Sequence, residues 1–329
     1  MQRSMNHVVP SVAVLLAALA ASMPAQAQGY PNKAVHLIVP MAAGGTTDAV
    51  ARLVAQGLSE RLGQSVLVDN RPGAGGQVGH EVAAKASPDG YTLILGSADG
   101  LVIVPALRKR EPYDPVKDFT PIGLIALSPM IFAVSANFPA NTMQELVAYA
   151  KANPGKVRYG SAGIGSILHF AAELLATNTG IEMVHVPYKG GGPMMTAVIA
   201  GEVDMVPTSG NFARSLMDAG KLKVLAQASE TRFPLLPNIP TTAEAGMPKI
   251  VVVSWFGVLG PAKMPKAAVT RVARELESVL AQPALKQRFI DVGAEIATMT
   301  PANFAKFIAV EKKKWKDLAM TAKIPLQEF

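Results

Sequence analysis

The feature that most constrains the fold is the alternation of short apolar runs with segments of helical periodicity. One such segment has Val269, Val272, Leu276 and Val279 on a single helical face. This alternation predicts an α/β protein in which mainly parallel sheets are flanked by helices. Strands are expected at residues 35–40, 65–69, 91–95, 122–127, 131–135, 157–160, 183–187, 203–206, 223–227 and 251–258.

Capping residues mark several of the helices between these runs. Thr142 and Glu145 have the spacing of a capping box, and Asn153-Pro154-Gly155 would end the helix that they open. Ser166 can cap a second helix, and Pro193 lies where another is expected to begin. Thr300-Pro301 predicts the start of the last helix.

Two segments are candidate hinges, although no Ser/Gly/Pro linker divides the chain. They are residues 118–129 and the proline-rich run 233–248, which leads into 251–260. We therefore predict a two-lobed clamshell whose lobes are joined by crossing hinge strands, with a ligand cleft between them. Lobe 1 is expected to be discontinuous, comprising 28–125 plus 251–329, and lobe 2 to comprise 126–250.

The N-terminal segment predicts export. Arg3 supplies a positive charge, residues 8–21 are almost entirely apolar, and Ala25-Gln26-Ala27 has the pattern of a cleavage site. We expect residues 1–27 to be a signal peptide and the mature chain to be periplasmic. The chain contains no cysteine, which excludes thiol catalysis, Cys-based zinc sites and iron–sulfur clusters.

A glycine-rich loop follows the first predicted strand and precedes a helix. It comprises Ala42, Ala43, Gly44, Gly45, Thr46, Thr47 and Asp48. Glycines let the main chain approach a ligand without Cβ obstruction, and a helix start offers unpaired N–H groups at its positive end. This arrangement suits an anion. The alternative is an ordinary turn that binds nothing, but similar loops recur downstream.

Three further glycine loops lie at residues 69–79, 161–166 and 185–193. The first and second of these fail the dinucleotide pattern, because Val78 and Leu168 stand at the third glycine position. Ser161 and Ser166 add hydroxyl donors suited to a carboxylate, and Tyr188 adds a phenol. Loops that follow parallel strands share one sheet edge, so loops of facing lobes would surround a small anion.

Other functional classes find little support. The sequence has no G-x-S-x-G elbow, no H-E-x-x-H motif and no metal-ligand spacing, so no catalytic or metal-binding residue and no cofactor is expected. His169 follows Ser166 by one helical turn, which keeps an exported serine hydrolase as a remote alternative. The chain has a formal charge of +7, and four of its lysines cluster at residues 312–316. We interpret this cluster as the solvated face of a helix, so we expect no nucleic-acid partner.

The glycine loops, in this order, resemble those of the extracytoplasmic solute-binding receptors of tripartite tricarboxylate transporters, the TctC/Bug family. The resemblance spans essentially the whole predicted mature chain. The matching motifs are Tyr30-Pro31-x-Lys33, Pro40-x-x-Ala43-Gly44-Gly45-x-x-Asp48-x-x-Ala51-Arg52, Asp69-Asn70-Arg71-Pro72-Gly73-Ala74-Gly75-Gly76, Pro88-Asp89-Gly90-Tyr91-Thr92-Leu93, Tyr113-Asp114-Pro115-x-Lys117-Asp118-Phe119, Asn153-Pro154-Gly155-Lys156, Ser161-Ala162-Gly163-x-Gly165-Ser166, His185-Val186-Pro187-Tyr188-Lys189-Gly190-Gly191, Pro240-Thr241-x-x-Glu244-Ala245-Gly246 and Ser254-Trp255-Phe256-Gly257.

The resemblance implies a periplasmic-binding-protein-like clamshell, a monomeric receptor that closes around a small carboxylate and delivers it to membrane permease subunits. A sensory adaptor read by a membrane signalling protein is the alternative. Main-chain amides, hydroxyls and bridging waters would hold the carboxylate. Met41 stands where the family usually has Phe or Tyr, and Pro207-Thr208-Ser209 also departs from the family pattern. The expected ligand-binding residues are Ala42, Ala43, Gly44, Gly45, Thr46, Thr47, Asp48, Ser97, Ser161, Ala162, Gly163, Gly165, Ser166, His169, Tyr188 and Ser209.

Overall fold

The structure is a computed structural model that describes residues 29–328, so the predicted signal peptide lies outside the described residues. The strands are β1 (Val35–Val39), β2 (Val66–Asn70), β3 (Thr92–Ser97), β4 (Phe119–Ser135), β5 (Val157–Ser161), β6 (Met183–Pro187), β7 (Met205–Ser209), β8 (Leu222–Gln227), β9 (Val253–Pro261) and β10 (Glu295–Met299). The α-helices longer than one turn are α1 (Thr46–Leu62), α2 (Gln77–Ala84), α3 (Met143–Ala152), α4 (Ile167–Thr179), α5 (Gly191–Ala200), α6 (Gly210–Asp218), α7 (Lys266–Leu280), α8 (Pro283–Asp291) and α9 (Pro301–Thr321).

The sheet has parallel strands on its two sides and antiparallel strands in its middle. Its order is β2-β1-β3-β9-β4-β7-β5-β6, and β8 and β10 also pair with β4. β1 is parallel to β2 and β3, and β5 is parallel to β6 and β7. The predicted α/β class is therefore confirmed. The antiparallel pairings all involve β4 or β9, because the chain crosses the middle of the sheet in opposite directions.

β4 is one strand of 17 residues, whereas the sequence predicted two strands separated near Ser128-Pro129. Its first part pairs with β9 as far as Pro129 opposite Val253, and its second part pairs with β7 from Met130 opposite Ser209. Proline lacks an N–H group, so it is tolerated where the hydrogen-bond partner changes. β4 thus runs between the two parallel groups, as a crossing strand would. The lobe boundaries themselves remain a prediction.

Caps and close helix packing account for the flanking layers. The side chains of Thr142, Ser166 and Thr300 each accept the N–H of the third residue after them, so these three capping predictions are confirmed. α1 packs closely on α7, because a Cβ built on Gly57 would lie 2.5 Å from a methyl of Val279. Pro193 lies in the first turn of α5, as expected. None of the helices within residues 29–328 is long and apolar enough to cross a membrane.

Candidate functional site

A cleft of about 250 Å³ lies where elements of both parallel groups meet the crossing strands. One side is formed by the loop between β1 and α1, and the other by the starts of α4, α5 and α6. β4 and β9 contribute to it from the middle of the sheet. Its lining residues are Met41, Thr46, Thr47, Asp99, Ser128, Met130, Ala162, Ser166, Ile167, Leu168, Gly191, Met194, Met195, Thr208, Ser209, Phe212, Ser254 and Phe256.

The N-terminus of α1 opens on this cleft without a side-chain cap. Its N-cap residue is Gly45, which has extended backbone (φ −87°, ψ 173°) and no side chain to accept a hydrogen bond. The next two residues, Thr46 and Thr47, line the cleft. The first N–H groups of a helix need external acceptors, and the helix dipole favours an anion there. This end of the cleft is therefore suited to a carboxylate.

The shape of the first loop depends on Asp48. Its carboxylate accepts the Gly44 N–H, the Arg52 Nε–H and an Asn70 amide N–H, each at 3.0 Å. Burial acts to raise the pKa of Asp48, but these hydrogen bonds outweigh it and the pKa is lowered. Gly44 has φ +92°, a left-handed conformation that favours glycine. These hydrogen bonds fix the shape of the loop. Asp48 itself does not line the cleft.

The second loop, residues 161–166, already uses most of its donors internally. The Gly163 N–H donates to Ser161 Oγ at 3.1 Å, the Gly165 N–H to His169 Nδ1 at 3.2 Å, and the His169 N–H to Ser166 Oγ at 3.3 Å. The Ser166 hydroxyl in turn donates to the Gly163 carbonyl at 2.9 Å. Of this loop, only Ala162 and Ser166 line the cleft. This loop was expected to form the side of the site opposite the first loop, and its part in ligand binding stays a prediction.

A stack of aromatic rings lies behind the second loop. The rings of His169 and His185 are nearly parallel, with centroids 4.0 Å apart, and Tyr159 stacks on His185 at 4.8 Å. The pKa of both histidines is lowered to about 4, by burial in each case and, for His169, also by the neighbouring His185. Neutral imidazoles can stack in this way without charge repulsion. Ser161 Oγ lies 2.7 Å from His185 Nε2, which joins the loop to the stack.

The constellation of a serine hydrolase is not assembled at Ser166. Its hydroxyl contacts the backbone of Gly163 and of His169, whereas the His169 ring accepts the Gly165 N–H through Nδ1 and has Nε2 3.8 Å from Glu173. A general base must lie within hydrogen-bond reach of the nucleophile whose proton it takes. Within residues 29–328 no group of three His, Cys, Asp or Glu side chains is placed to hold a metal ion.

Asp99 is a cleft residue that the sequence analysis missed. It lies in a π-helical segment, Ala98–Ile103, and its Oδ1 accepts the N–H of Ile167, the first residue of α4, at 2.9 Å. Burial raises the pKa of this carboxyl, although hydrogen bonds from Ile167 and from its own backbone oppose the increase. Asp99 belongs to no glycine loop, and only the pairing of distant segments brings it to the cleft.

Five of the residues expected to bind ligand line the cleft, namely Thr46, Thr47, Ala162, Ser166 and Ser209. The remaining expected residues are not among the lining residues, and their part in binding stays a prediction: Ala42, Ala43, Gly44, Gly45, Asp48, Ser97, Gly163, Gly165, Ser161, His169 and Tyr188. Ser97 is 1 % exposed, and its hydroxyl makes no hydrogen bond to the described residues. The lining residues not expected from the sequence are mostly apolar side chains and hydroxyls from β4, β7, β9 and α5. No local motif marked them.

The fold and the cleft define a solute-binding protein of the periplasmic type. The chain belongs to the TctC family, described as the tripartite tricarboxylate transporter family receptor, whose model matches residues 50–324. The resemblance expected from the glycine-loop motifs is thereby confirmed.

Relatives of known name or structure agree with this assignment. BugT of Bordetella pertussis is 32% identical over 317 residues, which cover 95% of this chain and 96% of that protein. The structure of R. palustris Rpa4515 with adipate is 34% identical, covers 91% of this chain and 100% of that one, and superposes with a TM-score of 0.81. MatC (Rpa3494) from Rhodopseudomonas palustris with bound malate is 31% identical, covers 88% and 99% of the two chains, and has a TM-score of 0.76.

Proposed function

We propose that this chain is a periplasmic receptor that captures a small carboxylate in the cleft and delivers it to the permease subunits of a tripartite tricarboxylate transporter. The observation that carries the proposal is the uncapped N-terminus of α1, with Thr46 and Thr47 on the cleft. The relatives solved with adipate and malate support a carboxylate as the ligand. The predicted signal peptide would direct the chain to the compartment in which such a receptor works.

The chemistry of the lining explains how an anion is held without a cation. The residues that line the cleft include no Lys, Arg or His. Main-chain N–H groups at the starts of α1 and α5, which both lack a side-chain cap, and the hydroxyls of Thr46 and Thr47 are donors available to a carboxylate. These donors are fixed by the fold and lose little freedom on binding, which favours affinity for a small ligand.

Calorimetry and thermal unfolding with a panel of mono-, di- and tricarboxylates test this proposal. A ligand that binds only the folded protein stabilises it by about 2.7 kcal/mol at a hundredfold excess over Kd. We expect at least one carboxylate to raise the melting temperature in proportion to its affinity. If a neutral sugar or a cation stabilises the protein and no carboxylate does, the proposed ligand class is wrong.

The Gly45→Val variant tests whether the ligand binds at the first loop. A Cβ at Gly45 meets no atom within 4 Å, and the extended backbone there accepts a β-branched residue, so the unliganded protein should fold normally. The added side chain would occupy the approach to the N–H groups of α1, and we expect a loss of affinity of about tenfold or more. Gly29→Val, also with open space at Cβ and away from the cleft, is the matched control and should bind as the wild type does.

A further inference from the structure

A second cavity, of about 480 Å³, lies against the crossing strands β4 and β9 on the face opposite the cleft. Leu127 and Pro129 of β4 line this second cavity, as do the residues of β9 that pair with them. Ser128 and Ser254, which pair with each other, line the cleft instead. Because successive side chains of a strand point to opposite faces of a sheet, one layer of sheet separates the two cavities.

The walls of the second cavity present apolar surface. Besides β4 and β9, they are formed by the loop after β8, by β10 and by α9. Five of the apolar side chains that line it are only half-buried, so they keep surface that a ligand can cover: Leu127, Val251, Val253, Met299 and Phe307. The volume is typical of small-molecule sites, and these side chains fit an alkyl or aromatic body.

The charges at the second cavity are not balanced. Its charged lining residues are Glu230, Glu295, Glu311 and Lys314. Lys314 Nζ lies 3.2 Å from Glu311 Oε1, and Glu311 Oε2 accepts the indole N–H of Trp255 at 3.1 Å, so Glu311 and Lys314 satisfy each other. The carboxylates of Glu230 and Glu295, by contrast, form no hydrogen bond or ion pair with any residue of the described range 29–328. Two negative charges at this cavity are therefore left without a partner.

We propose that the second cavity is a binding site for a small organic ammonium ion with an apolar body. The half-buried apolar side chains would cover the body, and the ammonium group would donate charge-assisted hydrogen bonds to Glu230 and Glu295. The same two carboxylates disfavour an anion, since like charges repel. This inference does not depend on the proposed carboxylate receptor, because the two cavities share no lining residue within the described part of the chain.

The 2-phenylethylammonium ion and 2-phenylethanol are the matched probes, because they have the same aromatic body and differ in the charged group. We expect calorimetry at neutral pH to show that the wild type binds the ammonium ion about tenfold more tightly than the alcohol. In the double variant Glu230→Gln, Glu295→Gln, this preference should fall to about twofold or less. Affinity for the alcohol should stay unchanged, which shows that the apolar walls are intact.

A second double variant, Glu60→Gln with Glu182→Gln, is the matched control. Both glutamates are exposed, neither lines either cavity, and the net charge changes by the same amount. This control should keep the preference for the ammonium ion. Gly45→Val, which is expected to lose carboxylate affinity, should also bind the ammonium ion as the wild type does, because Gly45 lies on the other side of the sheet.

Three results would overturn this second site. They are a wild type that binds neither probe, a wild type that binds the ammonium ion no more tightly than the alcohol, and a preference that survives in Glu230→Gln, Glu295→Gln. None of them bears on the carboxylate receptor, whose own test is the carboxylate panel. Conversely, a protein that binds no carboxylate but prefers the ammonium ion in the expected way would lose the receptor proposal and keep this site.

Discussion

Asp48 shows how a single side chain can shape a site that it does not line. It was expected to bind ligand directly, but the structure places its carboxylate behind the first loop, on the Gly44 N–H and the Asn70 amide. Local sequence identified the residue because an acid in the first turn of a helix is a recognisable pattern. Its hydrogen bond to Asn70, 22 residues away, depends on the pairing of β1 with β2 and could not be read locally.

Asp48→Ala should weaken ligand binding by loosening this loop. The variant leaves the Gly44 N–H and the Asn70 amide without their acceptor, and hydrogen bonds to a charged group contribute about 1.5–3 kcal/mol. We expect a free energy of unfolding lower by about 2 kcal/mol and carboxylate affinity lower by about tenfold. Urea unfolding and calorimetry measure the two effects.

Asp218→Ala is the matched control for Asp48→Ala. Asp218 forms an exposed ion pair with Arg214 on α6, with N···O 2.6 Å, and such pairs contribute little to stability. The control should therefore bind ligand as the wild type does. Equal affinities in the two variants would show that Asp48 does not shape the loop.

The buried imidazole of His80 should lower the free energy of unfolding in acid. Its Nδ1–H donates to the Gly76 carbonyl at 2.8 Å, and burial lowers its pKa to about 4. A histidine in the unfolded chain has a pKa near 6.5, so between pH 6.5 and 4 the unfolded state binds more protons. Stability therefore falls as the pH falls through this window and levels off below about pH 4. His80 alone accounts for a loss of about 3 kcal/mol.

Urea unfolding across this pH window, in the wild type and in His80→Gln, measures the contribution. Glutamine keeps an N–H donor for Gly76 and does not titrate. We expect the pH dependence in the variant to be shallower by up to about 1.4 kcal/mol per pH unit. Parallel curves would mean that His80 has the same pKa in the folded and the unfolded protein, contrary to the effect expected from its burial.

Secondary-structure elements were predictable from the sequence where their signals are local. β6 was predicted at its observed bounds, and the caps at Thr142, Ser166 and Thr300 were identified from residue type and spacing. β10 was missed because its five residues are mostly half-buried and lack a clear alternation.

For the cleft, the sequence predicted only which loops would contribute to it. Which donors remain free depends on partners such as Asp99 and Gly293, which are distant in sequence.

Gly257 is a position at which two elements approach too closely for any side chain. It lies on β9 against α9, and a Cβ there would be 2.2 Å from Cζ of Phe304 and 3.1 Å from the Gly123 carbonyl. Gly257→Ala should lower the free energy of unfolding by about 2 kcal/mol or more, because the buried phenylalanine must move. Thermal and urea unfolding measure the loss.

Gly192→Ala on α5 provides the comparison for Gly257→Ala. A Cβ at Gly192 meets nothing within 4 Å, and alanine favours a helix over glycine. We expect this variant to be as stable as the wild type or slightly more so. Equal destabilisation by both changes would argue that backbone freedom, and not the contact with Phe304, decides the outcome.

Across the whole molecule, β4 and β9 are the two strands that connect the parallel groups, and they lie beside each other over most of their length. Ser128 and Met130 of β4, and Ser254 and Phe256 of β9, line the cleft. A bend in this pair would therefore change the separation between α1 and α4. The contact of Asp99 with the Ile167 N–H already spans from the segment after β3 to α4. These features agree with the predicted two lobes, and closure of the cleft by hinge motion remains a prediction.

Ligand binding should make the protein more compact, because a ligand that contacts both sides of the cleft favours the closed arrangement. We expect the radius of gyration from small-angle X-ray scattering to decrease when the wild type is saturated with a carboxylate that calorimetry shows to bind. At a ligand concentration that just saturates the wild type, Gly45→Val should show a smaller decrease, because its affinity is expected to be lower by about tenfold or more. An unchanged radius in the saturated wild type would mean that the cleft is preformed and that β4 and β9 act as a rigid frame.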